Sequence, residues 1–280
     1  ALANLLLPRA MYDRFHRDKR VRSMELLLQE RLPRRPRVIE HPAVRAAHKP
    51  VRETAQEEVM REFTRADTPL PAVCVLSNGA FSTVVSNSGS GFMRFRGSNV
   101  SRWREDPVAE PWGNFLYIRD VGSDAVWSPF YLPCRTSGDE HHVQFFLDKA
   151  VFARRDGDVH TRLEICVTPE WNADVRRLTL TNLGRESRML EVTSFVELAL
   201  SRPVADEAHP AFNKLFVRTG FHEESGCLVA GRRPREADGE PLWAAHGLFV
   251  EGGGAGPLEY ETDRAAFIGR GGTLADPAGL

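Results

Sequence analysis

Apolar residues recur at helical spacing in the opening stretch of this chain and alternate with polar ones thereafter, which divides the sequence near residue 70. Between residues 12 and 31, Phe15, Val21, Met24, Leu27 and Leu28 fall at roughly three- and four-residue intervals, and the arginines among them can lay their methylene stems over the same face. Pro33 and Pro36 end that pattern. A second helix is expected over residues 52–63, where Glu53 and Glu57 stand four apart and Val59, Met60 and Phe63 give a short apolar face. Helices this short are marginal alone. Residues 1–69 therefore read as a helical extension or connector that packs on the following domain or on other parts of a longer protein.

After Pro71 the apolar runs become short and alternate. Residues 81–85, 114–119, 142–147, 150–154 and 160–167 have strand character and are separated by Gly, Asp, Ser or Pro. Asp156, Gly157 and Asp158 have the composition of a tight hairpin turn. Alternation continues through residues 174–181, 188–198 and 214–219, returns at 243–251 after a charged loop at 231–241, and residues 259–268 are expected to finish the sheet or lead onward. Many short strands without long helices between them favour a mainly β, antiparallel sandwich over residues 70–280 and argue against βαβ topology.

Composition narrows the function more by exclusion than by assignment. The 280 residues carry a formal net charge of −1, and acidic residues offset arginine throughout, so nothing suggests a nucleic-acid partner. The opening ALANLLL is too short to span a bilayer and Pro8 interrupts it, so the expectation is a soluble, cytoplasmic domain. Cys74, Cys134, Cys166 and Cys227 are widely spaced and lack paired CxxC geometry, as expected of isolated thiols in a reducing compartment.

The candidate chemistry lies in SRWREDPVAEPWGNF. If the segment is extended, Arg102 and Arg104 share one side and Trp103 faces the other. Guanidinium groups can donate paired hydrogen bonds to sugar hydroxyls or phosphate, and Trp103 or Trp112 can offer a flat apolar face to a pyranose. Arg102, Trp103, Arg104, Trp112 and Asn114 are the substrate-binding candidates, and His209, Phe212 and Lys214 a secondary group. Each has a plainer reading as packing between sheets or domains. Glu105, Asp106 and Glu110 could supply a glycosidase acid pair, but adjacency does not set the separation across a scissile bond, and surface pairing with Arg102 and Arg104 is preferred. His141, His142 and His209 have no spacing that dictates a metal site, so no metal is assigned. SNSGSG, with Gly89 and Gly91, lacks a full GxGxxG fingerprint and a βαβ setting, and reads as a turn; no nucleotide cofactor is indicated. No catalytic residue is assigned.

The runs LSNGAFSTVVSNSGSGF, SRWREDPVAEPWGNFLYIRD, VWSP, DKAVFARRDGDVHTRLEICVTP, RRLTLTN, HPAFNKLFV, PLWAAH and ETDRAAFIGRG resemble, in number and order, the amino-terminal sandwich of the inverting disaccharide and oligosaccharide phosphorylases. This is glycoside hydrolase family 94, formerly glycosyltransferase family 36. The similarity covers residues 70–280 and is greatest to the phosphorylase-like region of cyclic β-1,2-glucan synthases; YDRFHRDKRVRSMELLLQERLP resembles the connector upstream of that region. The resemblance implies a galactose-mutarotase-like β-supersandwich, normally followed by an (α/α)6 barrel that carries the general-acid aspartate and much of the phosphate site. It thus implies a noncatalytic domain that positions the barrel of the same parent chain, meets a β-glucan or glucooligosaccharide and takes part in chain-length control. Inorganic phosphate would concern the intact parent, a homodimer is compatible, and the parent can be an inner-membrane protein. The alternative is a purely structural or dimerisation module without carbohydrate affinity.

Overall fold

The computed structural model describes residues 61–106, 108–233, 241–252, 256 and 258–280. The helix expected over residues 12–31, most of the one over 52–63, and much of the charged loop at 231–241 lie outside the described residues. Strands are numbered β1 to β16 in chain order, and every pairing is antiparallel.

One five-stranded sheet contains β1 (Arg61–Phe63), β8 (Glu140–Phe145), β9 (Lys149–Asp156), β10 (Val159–Val167) and β11 (Asp174–Asn182), side by side in that order. A second has the spatial order β13 (Leu198–Ser201), β5 (Ser98–Ser101), β4 (Gly91–Phe95), β3 (Phe81–Ser86), β2 (Val73–Ser77). Two three-stranded sheets complete the set: β12 (Leu190–Val196), β6 (Asn114–Asp120), β7 (Ala125–Trp127), and β14 (Val217–His222), β15 (Cys227–Arg232), β16 (Leu242–Gly247). The fold is the mainly β, antiparallel supersandwich that the alternation and the resemblance called for.

The period of two that marks a half-buried strand is clearest in β10, where Val159, Thr161, Leu163 and Ile165 are buried and the residues between them are less so. Its partner β9 arrives through the hairpin at Gly157, whose φ of 58° lies in the left-handed region and whose N–H donates to Asp139 Oδ2 at 2.8 Å. The inward residues of the two large sheets and of β6 meet in one core that includes Leu76, Phe115, Tyr117, Phe130, Phe145, Phe152, Leu163 and Ile165. Phe130 stands edge-on to Phe152 at 4.7 Å, and a Cβ on Gly89 would come within 2.4 Å of the Phe130 side chain. Gly89, with φ of 100°, is therefore the close turn between β3 and β4, and the structure gives its segment this packing role.

Three local expectations differ from what forms. Residues 61–63, placed in a helix by spacing, make β1: they complete the edge of β8, and the Phe63 ring sits 5.4 Å from that of Phe145. The sheet thus begins upstream of residue 70. Residues 188–198 are two strands, because the Glu197 carbonyl accepts the Arg102 N–H at 2.7 Å and the chain crosses into the other sheet there. Lys214 and residues 264–268 are helical. Short helices α1 (Pro203–Ala208) and α2 (Pro210–Lys214) each begin with proline, which presets φ for a first turn. In α3 (Arg264–Ile268), Asp263 accepts the Ala265 N–H at 2.8 Å as the cap. That helix delivers Phe267 to the core, stacked on Phe195 at 5.2 Å and edge-on to Tyr117, whose hydroxyl donates to Leu274 O. Among the described residues no helix is long and apolar enough to cross a membrane.

Candidate functional site

The chain leaves β5 at Arg102, and this point joins β13, α1, α2 and α3 through charge. Arg102 is 3% exposed. Its Nε and Nη2 donate to Asp206 Oδ2 and Oδ1 at 3.0 and 2.8 Å, and Nη1 donates to Glu197 Oε1 at 2.7 Å. Asn213 Nδ2 donates to Asp206 Oδ1 and to Ser201 Oγ, at 2.8 and 2.7 Å. Lys214 and Arg264 reach Glu197, each at 2.9 Å. Burial works against the Arg102 charge, but the hydrogen bonds and charge of Asp206, then Glu197, outweigh it and raise the guanidinium above its ordinary value. Burial likewise pushes both carboxyls upward, and their basic partners overcome it: Asp206 is held low by Arg102, Asn213 and Arg104, and Glu197 by Lys214, Arg102 and Arg264.

Arg102 is thus an internal tie between elements, buried and with each of its three nitrogens donating inside the fold, where the sequence reading has it facing a sugar. Trp103 and Arg104 follow it and are both half-buried. The Trp103 ring packs on Phe92 with centroids 5.0 Å apart. Arg104 Nε is buried and has no hydrogen-bond partner among the described residues, and its charge lowers Asp206. Trp112, half-buried, accepts the Gly91 N–H on its carbonyl at 2.8 Å, which seats its loop beside β4. Asn114 opens β6; its carbonyl accepts from Arg176 Nη1 at 2.5 Å, while its buried Oδ1 has no partner among the described residues.

The secondary candidates separate by role. Lys214 belongs to the charge cluster. Phe212 is half-exposed and stands edge-on to Phe216 at 5.1 Å. His209 is exposed at the junction of α1 and α2. His141 and His142 lie in β8, where His142 Nε2 meets Glu62 Oε1, and burial, then the charge of Arg154, lowers the pKa of His141.

The acids of the loop do not serve Arg102 or Arg104 as surface partners. Asp106 Oδ1 accepts the N–H groups of Val108 and Ala109, Glu105 is exposed, and Glu110 Oε2 and Oε1 accept from Ser88 and Ser90 at 2.7 and 2.6 Å. Glu197, Asp206, Asn213 and Arg264 carry no local signal in the sequence that marks them for this site. They pair with Arg102 or with each other across sequence separations such as the 104 residues to Asp206, which no local spacing encodes. The cluster sets Arg102, Arg104, Lys214 and Arg264 around two carboxylates, Glu197 and Asp206.

A family model described as the glycosyl hydrolase 94 supersandwich domain matches residues 56–280. The cyclic beta-(1,2)-glucan synthase NdvB of Rhizobium meliloti (strain 1021) is 33% identical over 283 residues, covering 99% of this chain and 10% of the relative. An N,N'-diacetylchitobiose phosphorylase of Vibrio proteolyticus is 26% identical over 153 residues, covering 52% of the chain and 19% of the relative. A solabiose phosphorylase of Paenibacillus borealis is 23% identical over 226 residues, covering 78% of the chain and 28% of the relative. The chain therefore spans about a tenth to about a quarter of the length of these curated relatives.

Proposed function

The chain belongs to the glycosyl hydrolase 94 supersandwich family, and from that premise we propose that it is the noncatalytic sandwich of a larger β-glucan synthase or phosphorylase. It positions a catalytic (α/α)6 barrel carried elsewhere in the parent, contributes to saccharide binding and takes part in chain-length control. Proton transfer, and phosphate where the parent uses it, belong to the barrel. In this reading the domain is cytoplasmic, within an inner-membrane parent.

The observation that supports this reading is the edge after β5, where Arg104 Nε has no hydrogen-bond partner among the described residues and the preceding Trp103 packs its ring on Phe92. A guanidinium in that state gains from an acceptor brought by a ligand, because an unmet buried donor costs about 1–3 kcal/mol. Sugar hydroxyls supply acceptors, and an indole face suits the apolar side of a pyranose. A second reading, a structural or dimerisation module without carbohydrate affinity, is favoured by Arg102, whose three nitrogens all donate inside the fold.

Titration of the chain with linear β-1,2-glucooligosaccharides, read by backbone amide shifts and controlled with cellooligosaccharides, separates the two. Saturable shifts at Trp103, Arg104 and Trp112 that disappear in a folded Arg104→Ala variant are expected. No shift at millimolar ligand would remove saccharide contact from the role of this chain and leave the structural module.

A further inference from the structure

Away from the Arg102 cluster, three connections converge at one end of the β6–β7 sheet and the β9–β10 hairpin. The turn from β6 into β7 brings Asp120, Ser123 and Ala125; the segment before β8 brings Thr136 and Ser137; and β9 brings Arg154 and Asp156, with Arg188 closing from the approach to β12. Between them lies a cleft of about 220 Å³, with Trp127 and Val159 among its apolar lining. At roughly 30 Å³ per water this is room for about seven waters, and it is smaller than the roughly 300–1,000 Å³ of a drug-sized site. One sugar ring matches that scale.

The lining is largely polar, and its charged groups are paired within the fold. Arg154 is 2% exposed and donates through Nε and Nη2 to the two oxygens of Asp156 at 2.7 and 2.6 Å, and through Nη1 to the carbonyls of Phe130 and Thr136 at 3.0 and 2.7 Å. Arg188 Nη1 donates to Asp120 Oδ2 at 2.6 Å, while Asp120 Oδ1 accepts the Gly122 N–H at 2.9 Å. Two guanidinium groups meet two lining carboxylates at the cleft wall, and Arg188 Nη2 also reaches the exposed Asp158 Oδ2 at 3.5 Å, so the wall carries no excess of positive charge to select phosphate. Each ionised carboxylate oxygen can accept two hydrogen bonds, and the two oxygens of Asp156 accept one each from Arg154, so acceptor capacity remains there. Exposed Ser123 and Ser137 add hydroxyls that both donate and accept.

We infer that this cleft is a second, noncatalytic saccharide site, which takes one uncharged glycosyl unit through the Asp120 and Asp156 carboxylates, the Ser123 and Ser137 hydroxyls and the apolar wall at Trp127. A polyol matches it because its hydroxyls can donate to fixed carboxylates while accepting from serine, with no charge to neutralise. The frame is set before binding by ion pairs internal to the fold, so little ordering cost falls on the ligand event. The inference rests on the reading that this chain meets glucan, but it concerns elements remote in sequence from β5 and α1, so the two are separable.

The test is a titration with methyl β-D-glucopyranoside and a β-1,2-linked glucobiose, read at the amides of Gly122, Ser123, Ser137 and Val159. Saturable shifts are expected there, unchanged in Arg104→Ala and weakened at least about tenfold in Ala125→Trp, which fills the cleft from an exposed position on the sheet edge without altering charge. Ser137→Tyr, on an exposed connection, provides the same blockade should Ala125→Trp not fold. The inference is overturned by absent shifts, by shifts that survive both blocking variants, or by inorganic phosphate producing the same shifts at lower concentration. Shifts at the cleft without shifts at Arg104 would retain this site and sink the earlier one, and the converse would do the reverse.

Discussion

Replacement of Arg102 by methionine distinguishes a residue that holds the fold together from one that holds a sugar. The substitution keeps an unbranched apolar stem and removes three hydrogen bonds to carboxylates at 2.7, 2.8 and 3.0 Å and one to the Pro210 carbonyl at 3.4 Å. Glu197 would retain Lys214 and Arg264. Asp206 would retain only Asn213 as a hydrogen-bond donor among those described, with its side chain 2% exposed. Stranding a buried charge in this way costs about 3–5 kcal/mol. In a domain of this size each kcal/mol moves the midpoint by roughly 2–4 °C, so a loss near 3 kcal/mol lowers Tm by about 6–12 °C. Urea denaturation followed by tryptophan fluorescence, with calorimetry alongside, reads both quantities. The double variant Arg102→Met with Asp206→Leu should recover most of the loss, since removal of both partners leaves no orphan charge.

The pH dependence adds an internal check. Asp206 and Glu197 have folded pKa values below their ordinary ones, so their contribution is fully present above about pH 4–5 and is lost as pH falls through the depressed folded values. In Arg102→Met the orphaned Asp206 carboxyl favours its protonated form, so the gap from the unmodified chain should narrow on acidification. A change smaller than about 0.5 kcal/mol, the ordinary scale for exposed positions, would refute the internal tie and return Arg102 to the surface.

Three further outcomes follow from particular contacts. Gly89→Ala should cost at least about 2–3 kcal/mol in urea denaturation, because alanine is strained at φ of 100° and its Cβ would enter the Phe130 side chain; stability equal to that of the unmodified chain would contradict that turn. Glu110→Ala should cost about 1–3 kcal/mol by removing the acceptor of Ser88 and Ser90, and should alter Trp112 emission as the loop loosens; an unchanged denaturation midpoint would show that the clamp is idle. Burial pushes the Cys134 thiol up to about 11, so at neutral pH iodoacetamide should modify it far more slowly in the folded chain than in urea, as mass spectrometry of the peptides would show. Equal rates would refute the burial.

The sheets were legible because their side chains face two environments, and that leaves a period of two in the sequence: β3, β6, β9, β10 and β11 fall where alternation put them. The strands that escaped notice had local reasons. In β2, Val73 and Val75 are exposed while Cys74 and Leu76 are buried, so a run apolar on both faces hid the alternation. In β5, Asn99 and Ser101 are buried polar residues, and Ser101 Oγ accepts the Met93 N–H instead of meeting water. The C-terminal helix was misread because a run of alanines and apolar residues serves either element, and the Asp263 cap decides between them. The site obeyed a different logic. Arg102, Trp103 and Arg104 form one motif in the sequence, yet the partners of Arg102 lie at Glu197, between β12 and β13, and at Asp206 on α1, about a hundred residues later. Two arginines of one tripeptide therefore differ: Arg102 finds two carboxylates and turns inward, while the Nε of Arg104, two residues on, has no hydrogen-bond partner among the described residues. Composition registers two identical guanidinium groups. The arrival of Asp206 from α1 decides which of the two is tied into the fold, so the role of each guanidinium depends on completion of the sheet and cannot be assigned residue by residue from the motif.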